Sequence, residues 1–339
     1  MLERGVNNIL PEDNDNINNS KDKVLIDKSA TGKIRPWNKK KLSTFDLSES
    51  YKRLNINKYY RVAECGSFLE FRRYNNNDLK LHNANFCKVR LCPMCSWRRS
   101  LKIYGQVSKV MNKAMELHNY DFIFLTLTCR NVESKILSDT IDNLFKSFDR
   151  LTKRSKFKKS IKGYFRALEV THNLENDTYH PHFHVVLAVN KSYFTDAKIY
   201  IAQEEWTSLW KNSLKIDYTP IVDVRKFQDR KGKGITVSIA ETAKYTVKDT
   251  DYLVRDTHNI LDEEETDKAV LVLDTSLAYR RLTSFGGILK VIHKELNLDD
   301  AEDGDLINTD NDDEIRDDLN YIIERYCWNI GYKQYTVQY

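Results

Sequence analysis

The sequence predicts an α+β fold: a central antiparallel β-sheet with flanking helices packed on one face, preceded by an N-terminal cysteine-rich zinc-knuckle subdomain. Residues 179–190 read YHPHFHVVLAVN, in which an apolar, β-branched run typical of a buried strand follows three alternating histidines. Residues 163–171 (GYFRALEVT) have a second strand pattern, and a short polar turn joins the two, so they should pair antiparallel. Cys65, Cys87, Cys92 and Cys95 form a cysteine-rich region that precedes both segments.

Composition favours a cytoplasmic protein. The 339 residues contain no run of about 18 apolar residues, so no membrane span and no membrane partner are predicted. The N-terminus lacks the charged-then-apolar pattern of an export signal. Six cysteines, several closely spaced, do not resemble a secreted disulfide framework and suit a reducing compartment.

The net charge of +5 conceals an uneven distribution. Residues 150–162 and 225–233 are strongly basic, whereas residues 299–318 are strongly acidic. Basic patches on a globular domain suggest a polyanionic partner, although lysine-rich faces are often only solvated surface. The candidate DNA-binding residues are Arg150, Lys153, Arg154, Lys156, Lys158, Lys159, Arg225, Lys226, Arg230 and Lys231.

Composition shifts divide the chain into five parts. Residues 1–50 are rich in Asn, Asp, Lys and Ser and are expected to form a disordered, basic and polar arm. Residues 51–117 hold four of the six cysteines and a helix, residues 118–295 form the histidine-bearing domain, and residues 296–318 are an acidic linker. The aromatic-rich segment 319–339 is expected to pack back on the domain.

The cysteines are spaced as zinc ligands. Cys92 and Cys95, with Pro93 between them, form the tight C-x2-C turn that chelates one tetrahedral zinc ion. Cys65 and Cys87 complete a four-sulfur site, with His82 as the reserve ligand. Such a closed site is structural rather than catalytic. The alternative is a set of buried, reduced cysteines.

Helical and strand patterns follow the cysteines in alternation. Residues 97–117 predict a helix with Arg98, Arg99 and Lys102 pointing outward. Residues 121–129 predict a central strand, and residues 221–227 a further strand. Residues 197–214 predict a helix whose two tryptophans lie in the core. Residues 133–156 predict an amphipathic helix with these residues on one side: Ile136, Ile141, Leu144, Phe148 and Leu151.

The histidine strand is a candidate metal site. Alternate residues of a strand share one face, so His180, His182 and His184 should project together. Across the ladder, Glu169 is expected beside His182 or His184 and is a plausible third ligand for a divalent ion. His172 and His180 are weaker candidates for that position. The alternative is that these histidines are ordinary side chains on a sheet and bind no metal.

Residues 237–254 predict a helix that carries a second group of reactive side chains. Glu241 and Tyr245 are four residues apart and share a face, and Lys248 follows three residues later. A phenolate can attack, a carboxylate can activate water, and an ammonium group can orient a phosphate. Taken alone, the triplet is better read as a solvated helix face.

Together these segments resemble the rolling-circle replication initiators of Gram-positive plasmids, the single-tyrosine branch of the HUH endonuclease superfamily. The motifs that match in order are FLTLT (124–128), RALEVTH (166–172), HPHFHVVL (180–187) and ETAKYTVK (241–248). The cysteine segment CKVRLCPMCSWRR (87–99) also resembles a cluster in these initiators. The resemblance covers roughly residues 60–295.

The resemblance implies a mechanism. A divalent ion, Mn²⁺ or Mg²⁺, on His182, His184 and Glu169 would polarise the scissile phosphate, and Tyr245 would attack to form a 5′-phosphotyrosine bond. Glu241 would favour water at termination, and Lys248 would orient the phosphate. The implied partners are single-stranded or hairpin origin DNA and host helicase and polymerase; an oligomer is compatible with the sequence, and zinc would be structural.

Three other classes of protein remain open. A relaxase uses the same chemistry, but its tyrosine usually precedes its histidines, whereas Tyr245 follows them. A transposase of the superfamily matches the motif order but usually lacks the cysteines. A zinc-containing DNA-binding regulator without catalysis would leave Tyr245 dispensable.

Overall fold

The computed structural model describes residues 24–29, 31–227, 247–309 and 320–338. The helices are α1 (Trp37–Arg53), α2 (Tyr59–Ala63), α3 (Pro93–His118), α4 (Ser134–Lys153), α5 (Ser155–Ser160), α6 (Gln203–Leu214), α7 (Glu263–Leu277) and α8 (Ile288–Glu295). The strands are β1 (Phe68–Tyr74), β2 (Leu79–Ala84), β3 (Asp121–Thr128), β4 (Val132–Glu133), β5 (Ile161–Asn173), β6 (Thr178–Val189), β7 (Val222–Lys226), β8 (Thr283–Gly287), β9 (Tyr321–Asn329) and β10 (Gln334–Gln338). In the described ranges no helix combines the length and apolarity of a membrane span.

The central sheet has the strand order β7-β3-β6-β5-β8, and all its pairs are antiparallel. The histidine strand β6 lies in the middle, as predicted, and the short β4 pairs with its start. Strands β5 and β6 form the longest pairing because the polar turn at 174–177 joins them directly. The α+β prediction with a central antiparallel sheet is confirmed.

The two faces of this sheet carry different side chains. Because successive side chains of a strand point to opposite faces, Phe183 of β6 points away from His182 and His184. Helices α4 and α6 cover the Phe183 face: Phe145 lies 5.5 Å and Trp210 6.5 Å from Phe183 between ring centroids. Both predicted core tryptophans, at positions 206 and 210, are fully buried.

Helices flank the second face as well, which differs from the one-sided packing expected from the sequence. Phe165 and Phe285 are opposite each other on the histidine side of β5 and β8. The ring of His293 in α8 packs 4.7 Å from that of Phe285. Apolar aromatic residues on both sides of a strand require cover on both sides.

The amphipathic helix predicted at 133–156 is confirmed as α4, with α5 after a break at Arg154. Four of the five predicted apolar residues are buried, whereas Ile136 is 45% exposed. Ile136 lies in the first turn of the helix, and the first buried residue of α4 is Leu137. The amphipathic pattern therefore identified the correct face but not its N-terminal limit.

A second, four-stranded sheet has the order β10-β9-β1-β2. Its β1 and β2 belong to the cysteine region, and β9 and β10 come from the C-terminal segment. All seven residues of β1 pair with β9, so the C-terminal strands pack onto the cysteine region. Arg73 of β1 donates a hydrogen bond to Glu324 of β9, which lies 251 positions later in the chain. Strand pairing between such distant segments cannot be recognised from a local sequence pattern.

The described part of the predicted disordered arm is ordered, which corrects that prediction. Residues 37–53 form α1, whose Trp37, Leu47 and Tyr51 are buried. The Trp37 indole N–H donates to Asp27 at 2.7 Å. The polar composition hid this helix because its apolar residues are buried by distant segments: the Trp37 ring packs against Phe71 of β1 and Trp97 of α3.

The predicted outward position of three basic residues on α3 is wrong. Arg98, Arg99 and Lys102 are only 1–2% exposed, because residues 299–309 of the predicted acidic linker lie along this helix. All three side chains contact that segment. Arg98 Nε donates to the Leu306 carbonyl at 2.9 Å, and Arg99 Nε donates to the Glu302 carbonyl at 2.9 Å. Lys102 Nζ pairs with Asp299 at 2.7 Å. The described part of the linker is therefore a packed strap; residues 310–318 lie outside the described ranges.

Candidate active site

Two histidines and one glutamate converge on one face of the β5–β6 ladder. Glu169 lies opposite His182 in the ladder, as predicted. The Nε2 atom of His184 lies 2.8 Å from Oε2 of Glu169 and 3.2 Å from Nε2 of His182. The His182 Nε2–Glu169 Oε2 distance is 3.5 Å. One ligand atom of each residue thus faces a common point.

Neighbouring groups orient both imidazoles. His182 Nδ1 donates to the carbonyl of His180 at 3.1 Å, which directs its Nε2 to the common point. The His184 ring stacks on Phe124, with centroids 5.4 Å apart, and its Nδ1 lies 3.5 Å from the hydroxyl of Thr126. Such contacts on the second ring nitrogen are typical of metal-ligating histidines. Phe124 and Thr126 belong to the FLTLT segment. Because alternate residues of a strand share a face, their spacing could have indicated that both lie on the same face as the histidines.

The charge of Glu169 suits a cation. Burial alone would raise the pKa of this carboxyl, but hydrogen bonds from His182 and His184 lower it far below its ordinary value. Glu169 is 5% exposed and ionised, so its negative charge is concentrated at the point where the imidazoles meet. Two imidazoles and one carboxylate are a donor set that suits a first-row divalent ion.

The two weaker candidates for the third ligand have other contacts. His180 stacks on His182 with centroids 4.9 Å apart, and burial lowers its pKa. His172 stacks on Tyr179, and its Nε2 lies 2.9 Å from Asp177. The group whose ligand atoms lie within 4.8 Å of one another comprises Glu169, His182 and His184. Glu169 is therefore the third residue that the fold brings to the histidines.

Lys248 also lies at this group. Its Nζ is 3.3 Å from the second carboxylate oxygen of Glu169, and its side chain is 51% exposed. It precedes a 3₁₀ turn at Asp249–Asp251 rather than lying in the helix predicted for 237–254. Glu241 and Tyr245 lie outside the described residues.

The four predicted cysteines form a second, fully buried group. The Sγ atom of Cys65 lies 3.5 Å from those of Cys92 and Cys95, and Cys87 Sγ lies 3.7 Å from Cys95 Sγ. Tetrahedral zinc with Zn–S bonds of about 2.3 Å separates its sulfurs by about 3.8 Å, so these distances fit a Zn-S₄ site. The reserve ligand His82 instead contacts Glu70 at 3.9 Å.

Backbone and side-chain donors surround these sulfurs. The amides of Lys88 and Cys87 donate to the sulfurs of Cys95 and Cys65, each at 3.3 Å. Helix α3 begins directly after Cys92, so its positive N-terminal end lies beside the sulfurs. Such donors are typical around a thiolate-bound cation. The sequence spacing had indicated the four cysteines as candidate ligands but not these supporting groups.

The basic stretch on α4 and α5 lies on the Phe183 side of the sheet, opposite the Glu169 group. Part of this stretch supports the fold. Arg150 and Arg154 donate to the carbonyl and the hydroxyl of Ser213, respectively. Lys153 pairs with Asp149, and Lys156 pairs with Glu205. Lys158 and Lys159 are exposed. The cations of this stretch are therefore separated from the site by the sheet.

The second basic stretch begins on the site face. Arg225 in β7 is opposite Phe124 in the ladder, so it shares a face with His184, and it pairs with Asp223 at 2.7 Å. Lys226 lies over the ring of Phe194. Arg230 and Lys231 lie outside the described residues.

Known proteins similar to this chain include replication proteins. A family model described as "Replication protein" matches residues 78–336. A "Protein rep" of Bacillus amyloliquefaciens is 43% identical over 337 residues, covering 93% of this chain and 97% of the relative. One from Streptococcus pneumoniae is 41% identical over 323 residues, covering 94% and 97%, and one from a Bacillus species is 48% identical over 261 residues, covering 73% and 83%. No solved structure matches significantly.

Proposed function

The chain belongs to the replication protein family of plasmid replication initiators, and we propose that it starts rolling-circle replication by nicking one strand of its plasmid origin. The observation that carries this proposal is the convergence of a buried carboxylate, two imidazoles and one lysine at a single point of the central sheet. A purely structural histidine pair would not require an ionised, buried glutamate beside an exposed lysine.

Glu169, His182 and His184 would hold the divalent ion, Mn²⁺ or Mg²⁺. When bound, the ion would supply positive charge to the non-bridging oxygens of the scissile phosphate. The residues themselves set the geometry: the Nδ1 contacts of His182 and His184 keep both Nε2 atoms directed at the ion. The half-exposed Lys248 would contact the same phosphate, adding charge where it develops in the transition state.

Tyr245 would be the nucleophile. Its phenolic oxygen would bond to phosphorus as the bond from phosphorus to the 3′-oxygen breaks, leaving a 5′-phosphotyrosine bond and a 3′-hydroxyl. The phenolic proton would pass to solvent or to the leaving oxygen. Tyr245 precedes Lys248 by three residues, so covalent geometry keeps their Cα atoms within about 11 Å. Glu241, four residues earlier, would activate water for the terminating cleavage.

The substrate follows from this chemistry. A tyrosine on a sheet-based site reaches a phosphate more readily in single-stranded DNA, so the origin would be melted or extruded as a hairpin. Host helicase and polymerase would then act on the free 3′-hydroxyl in the cytoplasm. The four cysteines would hold a structural zinc ion, since every ligand position of a Zn-S₄ site is filled.

The test is a cleavage assay with single-stranded oligonucleotides that tile the origin of the plasmid that encodes the chain. Wild type, Tyr245→Phe and the control Tyr279→Phe, which removes a hydroxyl from a fully exposed side chain, are each incubated with Mn²⁺ or with EDTA. We expect a metal-dependent covalent adduct with wild type and the control only. Cleavage without an adduct would demote Tyr245, and binding of DNA without cleavage would support a non-catalytic regulator.

A further inference from the structure

We propose that the segment Lys248–Tyr252, called here the anchored turn, is held at the active site by the cysteine cluster and α1, so that the zinc knuckle positions the residues of DNA cleavage. The inference rests on the proposed function, because it names what positions Lys248 and the chain leading to it from Tyr245. It assigns to the cysteine region a role in the geometry of the reaction.

The anchored turn is closed by its own hydrogen bonds. The Lys248 amide donates to the carboxylate of Asp251 at 2.9 Å, and the Asp251 amide donates back to the Lys248 carbonyl at 3.0 Å. The Leu253 amide donates to the Asp249 carbonyl at 2.8 Å. These bonds fix the internal conformation of the turn. The position of the Lys248 side chain relative to Glu169 therefore depends on the contacts that attach the turn to the rest of the protein.

One anchor attaches the turn to the metal-site strand. His172, three residues after Glu169 on β5, donates from Nδ1 to the Asp251 carbonyl at 3.2 Å. Its ring lies flat on Tyr179, with centroids 4.3 Å apart and an interplanar angle of 2°. Asp177 holds its second nitrogen. This histidine is therefore a positioning residue for the turn, which explains its place near the site without a role as metal ligand.

A second anchor comes from α1. Lys40 Nζ pairs with Asp249 at 2.9 Å, and both side chains are largely buried. The same helix supports the cysteine cluster: Lys41 Nζ donates to the Cys65 carbonyl at 2.9 Å, and Thr44 Oγ1 lies 3.8 Å from Cys92 Sγ. Helix α1 thus links the cysteine cluster to the turn.

The third anchor is a direct contact with the knuckle. Tyr252 is 1% exposed, and its hydroxyl donates to the carbonyl of Leu91, the residue before Cys92. The two residues are 161 positions apart, so only the tertiary structure joins them. Because a bound zinc ion would fix Cys92, it would also fix the carbonyl that holds Tyr252.

The chain offers a matched pair of variants. Tyr252→Phe removes the hydroxyl that reaches Leu91. Tyr335→Phe removes an equally buried hydroxyl that donates to the carbonyl of Gly66, the residue after Cys65, and Tyr335 lies on β10 away from the turn. Both substitutions remove one hydrogen bond to a carbonyl beside a cluster cysteine, so their effects on stability should be similar. Only the first touches the anchored turn.

The experiment measures single-turnover adduct formation at saturating Mn²⁺ and saturating single-stranded origin oligonucleotide, with DNA affinity measured separately by fluorescence anisotropy. We expect Tyr252→Phe to slow adduct formation about tenfold with unchanged DNA affinity, because small displacements of reacting groups cost large factors in rate. Tyr335→Phe should form the adduct at the wild-type rate. Hydrogen exchange of the Asp251 and Leu253 amides should accelerate in Tyr252→Phe but not in Tyr335→Phe.

The outcomes separate this inference from the function on which it rests. If wild type forms no adduct, the proposed function is wrong, and the exchange data still decide whether the knuckle holds the turn. If wild type forms the adduct and both phenylalanine variants match it in rate and exchange, the inference is wrong. If Tyr252→Phe fails to fold, Lys40→Met tests the same turn by removing the ion pair with Asp249. We expect Lys40→Met to slow adduct formation and to accelerate exchange of the Asp251 and Leu253 amides. A wild-type adduct rate together with wild-type exchange in this variant would overturn the inference.

Discussion

Glu169 and His184 are joined by a 2.8 Å contact between Oε2 and Nε2, although 15 residues separate them in sequence. The contact crosses the β5–β6 ladder diagonally, since Glu169 is paired with His182 and His184 is paired with Ala167. One carboxylate therefore reaches both imidazoles, and its other oxygen remains available to Lys248. This arrangement is the basis of the first prediction.

Replacing Glu169 with glutamine should weaken Mn²⁺ binding by about 100-fold or more, because the substitution removes the charged ligand while keeping its shape. Isothermal titration of the protein with Mn²⁺ measures the change. Glu175→Gln, in the exposed turn of the same hairpin, is the matched control and should bind as wild type does. His180→Ala should also retain binding. Wild-type affinity in Glu169→Gln together with loss of Mn²⁺ in His180→Ala would show that His180, not Glu169, is the third residue.

Cys95→Ser should abolish zinc binding and lower the melting temperature by about 10 °C or more, because a structural metal site contributes several kcal/mol to folding. Zinc content is read by atomic absorption and unfolding by circular dichroism. Cys327→Ser, a cysteine on β9 away from the cluster, controls for the chemical change. Equal zinc content in the two variants would contradict a Zn-S₄ site.

Asp299→Asn should destabilise the protein by about 1–2 kcal/mol, a value discounted because Asp299 is half exposed although Lys102 is buried. Burial raises the pKa of Asp299, but hydrogen bonds from Lys102 and from backbone amides lower it below its ordinary value. A pKa lowered by folding stabilises the protein above the unfolded value of about 3.9, and this contribution is lost as pH falls through the folded value.

Urea unfolding at pH 7 and at pH 3 tests this prediction. The difference in unfolding free energy between wild type and Asp299→Asn should shrink at pH 3, where the carboxyl is increasingly protonated. Asp303→Asn, on an exposed residue of the same strap, should match wild type at both pH values. A difference that stays constant with pH would argue against the Lys102 ion pair as its cause.

The double variant Lys158→Ala, Lys159→Ala should leave cleavage of a short single-stranded oligonucleotide unchanged, because these lysines lie behind the sheet from the Glu169 group. It should weaken binding of a longer origin duplex and reduce the slope of log affinity against log salt by about 1 for each phosphate that the lysines neutralise in the wild type. Arg225→Ala, on the site face, should instead slow cleavage of the short substrate. Slower cleavage in the lysine variant would place both stretches on one DNA path.

The active-site pairing was predictable because it depends on short-range rules. Alternation along β6 places His182 and His184 on one face, and a tight turn brings the adjacent strand into antiparallel register with Glu169 opposite. The C-x2-C spacing likewise indicated a cluster of four cysteines, which the fold brings together. Proposals that concern Tyr245 and Glu241 stay predictions, since these residues lie outside the described ranges.

The errors concern residues whose environment comes from distant parts of the chain. Arg98, Arg99 and Lys102 look like a solvated helix face, and their burial depends on carbonyls and a carboxylate that follow about 200 residues later. The arm was expected to be disordered because its composition is polar, yet Trp37 is buried in α1. Local composition cannot report partners supplied by another segment.

The sequence by itself determined the central antiparallel sheet, the histidine strand and the two groups of candidate metal ligands, because each depends on spacing within a short segment. Only the tertiary structure decided that the C-terminal strands join the sheet of the cysteine region, that the strap buries the basic side chains of α3, and that Tyr252 joins the anchored turn to the knuckle. Tyr252 and Leu91 are 161 positions apart, and over such separations pairing is chosen by the packing of the whole chain and not by any local pattern.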